Sequence, residues 1–418
     1  MNKSTLRLMP ALITIAFSGS AAAAGFQLLE QNASGIGNAY AGSAAVAENA
    51  STIFYNPAGM TQLQHIEVSG GLSVVGTSFQ FTDQGSTAGA FAGSGNGGDG
   101  GNVGVIPNGY LSWGLTKDLY VGLGVGAPFG LKTHYDDRWV GAAQSREFDV
   151  KTYNLNPSVA YRINDFVSVG GGLNWQRLEA TYKRATAINL AGSQSPLTLT
   201  LDDNSWGWNI GALFTLTPKT KVGVSYRSEV KYHTNGKIEI TGPAAANSSD
   251  AKADITLPDV FILSATHQLT DRVELLADVS RTGWSSIPKV DIIRTSGAGI
   301  GTIAQTLDTD FRDTWRVALG ANYKLNNEWM LKGGVAYDQT PVKGPTTRLV
   351  SLPDNDRTWF SLGAQWKPSK ALTLDVGGTY LYVKDTTIDN NQLPARGRVV
   401  GTYQDSAWIF GAQASMSF

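Results

Sequence analysis

Cysteine is absent from the 418 residues. The chain therefore forms no disulfide, offers no thiolate nucleophile and has no site for a sulfur-linked lipid. Long hydrophobic runs are missing too. Past the first two dozen residues none reaches the length of a transmembrane helix, which excludes a polytopic helical bundle. The net charge is −1, far from the basic surface that nucleic acid demands. Histidine is sparse: His65, His134, His233 and His267 are scattered without metal-ligand spacing, and none forms a Ser/His hydrolase pair. No Gly-rich loop runs into a helix through Lys-Ser or Lys-Thr, so ATP does not drive this protein. The reading is a chain without enzymatic chemistry, metal or cofactor.

What remains is a strand signal. Trp408, Phe410, Ala412, Ala414, Met416 and Phe418 alternate with Gly411, Gln413, Ser415 and Ser417, and Ile409 is the one apolar residue out of phase. Side chains of a strand point alternately to its two faces. One face is thus greasy and the other small and polar, as in a membrane β-barrel whose strands meet lipid outside and a polar lumen inside. A strand that ends the chain on an aromatic suits the closing strand of such a barrel, and Phe418 is then the residue read by the barrel-assembly machinery. Forty-eight glycines and 41 aromatics (11 Trp, 15 Tyr, 15 Phe) fit wall and interfacial girdles.

Strand-like segments occur at about fourteen places: 64–82, 105–115, 119–127, 150–163, 167–184, 203–215, 220–241, 252–267, 272–295, 312–323, 328–340, 357–367, 371–385 and 405–418. The connections carry more information. Turns at Thr116-Lys117-Asp118, Asn164-Asp165, Thr217-Pro218-Lys219, Thr270-Asp271, Asn326-Asn327 and Pro368-Ser369 are short and turn-rich. Between them the connections are long: 83–104, 128–149, 185–202, 242–251, 296–311, 341–356 and 386–404. Strict alternation of short and long puts every long loop on one side, as in outer-membrane barrels. The fold class is all-β, a transmembrane antiparallel barrel.

The N-terminus supports export. Lys3 and Arg7 precede a mostly apolar Leu8–Phe17 stretch, and Ala21-Ala22-Ala23 offers a small-x-small cleavage site, so 1–23 reads as a signal peptide. Residues 24–63 then alternate poorly, yet carry Phe26, Leu28, Leu29, Ile36, Ile53, Phe54 and Tyr55. That apolar load is unlike a disordered tail, and a compact plug inside the barrel of 64–418 is the reading it favours over a periplasmic extension.

These residues also carry a resemblance. Ala24-Gly25-Phe26-Gln27-Leu28, Ser34 to Gly42, and Asn56-Pro57-Ala58 are similar to the mature N-terminus of the FadL family of outer-membrane transporters. So are Tyr226-Arg227-Ser228-Glu229-Val230-Lys231, Trp315 to Gly320 and Pro353-Asp354-Asn355-Asp356-Arg357 downstream. The resemblance implies a monomeric fourteen-stranded barrel, embedded in outer-membrane lipid and lipopolysaccharide. An N-terminal hatch would include Ala24, Gly25, Phe26, Asn56, Pro57 and Ala58. It implies passive uptake of long-chain fatty acids or other hydrophobic small molecules, through an outer-loop groove, an internal pocket and a sideways exit where the third strand is kinked.

Candidate parts exist for each step. The loop cluster Phe129, Leu131, Tyr135, Trp139 and Val140, with Ile188, Leu190, Leu197 and Leu199, either binds ligand or covers itself. Pro128, Phe129 and Gly130 fall at the expected kink, where proline removes a ladder donor and glycine weakens the strand; a simple strand end is the alternative. The resemblance places Arg184 on a ligand-contacting arginine and Phe26 on the hatch residue that enters the pocket. The second basic position falls on Leu307. Lys289 or Arg294 is a candidate substitute; without one, a neutral aromatic or aliphatic hydrocarbon becomes the better ligand. A non-transport surface barrel, an adhesin or phage receptor, is the reading from another class.

Overall fold

The computed structural model describes residues 25–89, 93–187 and 194–418. The expected signal peptide, Ala24, Ile188 and Leu190 lie outside the described residues. Fourteen antiparallel strands close into one barrel. They are β1 (Ile66–Asp83), β2 (Val103–Gly114), β3 (Leu119–Gly126, resuming at Gly130–His134), β4 (Glu147–Arg162) and β5 (Val167–Ala187). Next come β6 (Gln194–Thr217), β7 (Thr220–Arg227 and Val230–Ile240), β8 (Ser249–Leu257 and Val260–Gln268) and β9 (Val273–Thr282 and Lys289–Arg294). The last are β10 (Ile303–Asp308 and Thr314–Lys324), β11 (Trp329–Asp338), β12 (Arg357–Trp366), β13 (Leu372–Val383 and Thr386–Asn391) and β14 (Gly397–Ser417). A two-residue strand at Thr87–Ala88 also pairs with β14.

Closure runs along the full seam. β1 and β14 pair from Glu67↔Ser417 to Asp83↔Gly401, and Phe418 N–H donates to Ile66 O at 2.9 Å. Phe410, Phe360 and Leu362 point outward from the barrel and are exposed, as lipid-facing residues must be. Ile409, the residue out of phase, is fully buried in the lumen in one apolar cluster with Ile36 and Trp359. The turns form as expected, each seeded by a side-chain oxygen. Thr116, Asn164, Thr217, Thr270, Asn326 and Ser369 all accept a backbone N–H two or three residues on.

Several expected strands begin too late at the outer side, where the observed ones reach farther. β4 starts at Glu147, β6 at Gln194, β10 at Ile303 and β14 at Gly397. There the barrel rises past the lipid, outward positions become Asp, Lys and Thr, and the alternation reads as loop.

Residues 25–63 lie inside. A short 3-10 turn (Ile36–Asn38), one helical turn, α1 (Thr52–Tyr55), and a second 3-10 turn (Pro57–Gln62) are joined by irregular backbone. The contacts go all round the wall. Asn56 Nδ2 donates to Ala212 O on β6 at 2.9 Å, and Ser43 N and Oγ donate to Asp278 on β9 at 3.2 and 2.7 Å. Ala33 N donates to Gln413 on β14 at 3.0 Å. Small residues permit this closeness: a Cβ on Gly223 would sit 1.9 Å from Ala44 O, and one on Gly334 2.3 Å from Asn38. At the periplasmic side Lys332 is buried with Asp375 at 3.0 Å, Glu48 at 2.9 Å and Ser34 O at 2.9 Å, tying the inner segment to β11 and β13.

Candidate functional site

Above this inner segment the lumen is greasy. Inward positions of β4 (Phe148, Val150), β5 (Leu178, Ala180, Tyr182) and β6 (Leu199, Leu201) alternate with outward polar ones, and β8, β9 and β10 add Ile255, Val290 and Leu307. The connection after β11 covers them with Leu349 and Leu352, and Phe26 forms part of the wall. Together they bound an almost wholly apolar cavity, the lining expected of a site for a hydrophobic ligand. No charged side chain lines it.

The inner side is an aromatic nest. Phe26 packs edge-on against Trp284, ring centres 4.9 Å apart, and against Phe129 at 6.0 Å; Trp284 meets Phe311 at 5.9 Å. Trp284 sits in the break of β9 and is fully buried. The stretch before Phe26 is fixed by the loop motif Pro353 to Arg357: Asp354 accepts Gly25 N–H at 2.9 Å and Thr340 Oγ1 at 2.7 Å, and pairs with Arg357. This is an inward ion-pair and hydrogen-bond network.

Beside the nest the wall is interrupted. β2 and β3 pair only from Gly109↔Val125 to Gly114↔Tyr120. Beyond Gly126 strand β3 breaks at Ala127, Pro128 and Phe129, and β2 continues paired with β1 alone. The vacated edge is taken by the inner segment. Leu28 N–H donates to Pro128 O and Gly130 N–H to Phe26 O, both at 2.8 Å, around a bridge of Gln27 with Phe129. Gln31 clasps Ala127 at both ends, its Nε2 donating to Ala127 O at 2.7 Å and its Oε1 accepting Ala127 N–H at 3.2 Å. Phe129 keeps its β4 neighbour through Thr152, at 2.9 Å from Phe129 N to Thr152 Oγ1. Pro128 thus marks a local break and not the end of the strand. Glu30, in the same segment, is wholly buried, and neither carboxylate oxygen has a partner beyond its own backbone. Burial pushes its carboxyl from the ordinary 4.5 to about 7, against the pull of Arg357 and Arg316.

The residues singled out from sequence separate into groups. Phe26 and Leu307 line the cavity, and Phe129 stands behind Phe26. Leu131 and Trp139 are buried in the outer-loop core: Trp139 stacks on Tyr135 at 4.5 Å and donates to Ser145 O at 3.0 Å. In this structure Leu131, Tyr135, Trp139 and Val140 pack into that core, whereas Leu199 lines the cavity. Gly25, Asn56, Pro57 and Ala58 belong to the inner segment. Arg184 is buried at the outer end of β5, its Nε donating to Gln305 Oε1 at 2.9 Å. Lys289 points outward to Asp291 at 2.8 Å, so it is no substitute pocket cation. Sequence reading missed Trp284, Phe148 and Leu178. Leu201 was missed as well, although the alternation of Leu197, Leu199 and Leu201 was there to extend β6.

The chain is 30% identical to Outer membrane protein P1 of Haemophilus influenzae over 466 aligned residues, covering all of both chains. It is 28% identical to the Long-chain fatty acid transport protein of Escherichia coli K12, covering all of this chain and 98% of that one. A crystal structure of a Pseudomonas aeruginosa FadL homologue matches the fold with a TM-score of 0.87 at 23% identity, over 94% of this chain and 100% of the other. The closed barrel and these relatives place the protein in the Gram-negative outer membrane. A model of the Outer membrane protein transport protein (OMPP1/FadL/TodX) family matches residues 14–418, and the chain belongs to that family.

Proposed function

We propose that the protein admits hydrophobic or amphiphilic small molecules, long-chain fatty acids foremost, by gated diffusion. The observation that carries this reading is the adjacency of an apolar cavity and an interrupted wall, with one short segment, Phe26–Gln31, bordering both. Ligand enters from the outer loops and fills the cavity. Displacement of Phe26–Gln31 from the edge of β3 then opens a path between β2 and β3 into the bilayer. Residues 24–63 act as the hatch, and only its first part moves. A surface adhesin has no need of a plugged lumen with a shaped cavity. Phe418, paired to the first strand, serves the barrel-assembly machinery as its recognition residue, and the barrel works as a monomer among lipid and lipopolysaccharide.

The absence of native cysteine allows a direct test. Gln27 and Phe129 are bridge partners, so Cβ atoms placed there fall within disulfide reach. In the Gln27→Cys/Phe129→Cys variant, oxidation is expected to stop uptake of labelled oleate and reduction to restore it, with Phe129→Cys alone unaffected by redox. Uptake that ignores the tether removes the lateral gate. A second ligand class, neutral hydrocarbons such as toluene, is favoured by one observation: the cavity lining itself holds no charge.

A further inference from the structure

The outer surface of the wall carries a basic patch at the level where lipid contact ends. On β4 the inward residues Phe148 and Val150 line the cavity, so Glu147, Asp149, Lys151, Tyr153 and Leu155 point out. Leu155, and Leu173 on β5, are exposed to lipid. Tyr153 and Trp175 stand at the next outward positions, and charge begins one step farther, at Lys151 and Arg177. An aromatic belt followed at once by charge marks the level of the lipid head groups.

Two carboxylates gather the cations of three strands here. Asp149 Oδ2 lies 3.4 Å from Lys132 Nζ of β3 and 3.3 Å from Lys151 Nζ of β4. Glu147 Oε2 lies 2.9 Å from Lys183 Nζ of β5 and 3.1 Å from His134 Nδ1 of β3. The side chains of Asp149 and Glu147 are only 10% and 11% exposed, whereas those of the four basic residues run from 28% to 55%. The carboxylates are thus a floor, and the cations are the surface. Three lysines over two carboxylates leave positive charge in surplus even with His134 neutral. Glu179, across from Lys151, is turned to Arg177 at 2.8 Å, and Arg177 also reaches Asp202 at 3.1 Å. An ammonium carries three donors, so one carboxylate contact leaves others to be met from outside. Other parts of the wall differ at this level. The seam strands β14 and β1 carry Gln404, Ser406, Ser78 and Gln80 beyond Trp408. On β7 and β8 the paired His233 and Asp254 are 82% and 83% exposed, so the anion is presented as openly as the cation.

We propose that Lys132, Lys151, Lys183 and His134 dock the phosphates of lipid A, the membrane-embedded part of lipopolysaccharide, with its acyl chains along Tyr153 and Trp175. The occupant follows from charge and depth: an anionic head group at the level of the patch, on acyl chains that reach the apolar wall below it. A compact ammonium suits phosphate as a point charge. Lipid A brings two phosphates on one sugar backbone, where a phospholipid brings one. The site gives an address to the lipopolysaccharide contact proposed above, and it does not depend on what the lumen carries. Lys132 and His134 stand on β3 just outside its break at Pro128, so a docked lipid A borders the proposed gate.

The full-length protein in detergent micelles is titrated with fluorescent lipid A, with lipid A stripped of its phosphates, and with phosphatidylglycerol. Empty micelles set the background. Lys132→Gln/Lys151→Gln/Lys183→Gln is expected to weaken lipid A roughly hundred-fold, about fivefold for each lysine near an anionic head group. The stripped form should stay within about twofold. Lys132→Arg/Lys151→Arg/Lys183→Arg should keep most of the affinity. Lys231→Gln/Lys237→Gln/Lys252→Gln removes as much charge from β7 and β8 and should change lipid A binding less than about twofold, since salt screens distant charge. If the first variant melts early, Lys151→Gln alone decides, with a loss of roughly fivefold expected. Equal losses in the two glutamine triples reduce the effect to net charge and overturn the site. A β3–β5 variant that binds lipid A like wild type places the contact elsewhere and also overturns it. Phosphatidylglycerol bound as tightly as lipid A, and lost with it, overturns lipid A as the occupant. Wild type without preference for lipid A over its stripped form removes the site and the lipopolysaccharide contact together.

Discussion

The two parts of the inner segment are held in different ways. Residues 33–62 meet the barrel through backbone pressed onto glycine, through Asn56 and Ser43, and through the buried Lys332 cluster. Residues 26–31 meet it through hydrogen bonds along one broken strand edge, through Tyr110 and Thr282, and through an aromatic contact. The second arrangement borrows a place that β2 left empty and contains a buried carboxyl with nothing to bind. In the proposed gating one part is the body and the other the flap, and the division follows this difference in attachment.

The largest effect should come from attacking the body. Lys332→Met leaves Glu48 and Asp375 facing each other without their shared cation, a loss of about 3–5 kcal/mol. The expected outcome is a lower melting temperature and entry of a hydrophilic dye in whole cells. A tight barrel with wild-type melting would mean that the body is not held there.

The flap should answer to pH. Glu30 has a raised folded-state pKa of about 7 against 4.5, so the folded flap binds the extra proton. Its stabilisation is complete below about pH 4.5 and is lost as pH rises through about 7, on the order of 3 kcal/mol in all. Hydrogen exchange, corrected for its intrinsic rate, should show amides of 26–31 losing protection across that range while 33–62 do not change. Glu30→Gln should flatten the response. Equal pH dependence in both parts would erase the distinction.

The smallest effect is expected from Gln31→Ala. It frees both backbone groups of Ala127 and costs about 1–3 kcal/mol. Because the lost bonds close the gap, oleate uptake should rise several-fold while melting hardly moves. A fall in uptake would show that Gln31 guides the ligand instead of retaining the flap.

Strand number, turn positions and the buried nature of 25–63 were legible because each follows from local alternation or from one residue's side chain. Thr116 and Asn326 announce turns wherever they stand. The outer ends of β6 and β10 were not legible, since polar residues there face water on strands that have left the lipid. The cavity suffered from the same effect, and Leu199 looked like loop. The seal between Gln27 and Phe129 could not be read either, because neither segment shows its partner. Arg396 could not be read as a neighbour of Arg184, because it comes from a distant connection that only the closed barrel brings near.

Pro128 has a consequence for the cost of an open wall. Hydrocarbon gives no partner to a stranded backbone group, and each one costs several kcal/mol. On the edge of β3 that Phe26–Gln31 covers, an ordinary residue at 128 would add an amide donor to that debt. Proline has none. Withdrawal of the flap therefore orphans the Pro128 carbonyl, the Gly130 amide and both backbone groups of Ala127, but adds no donor at position 128 itself. The residue that interrupts the strand also lowers the barrier to leaving it uncovered.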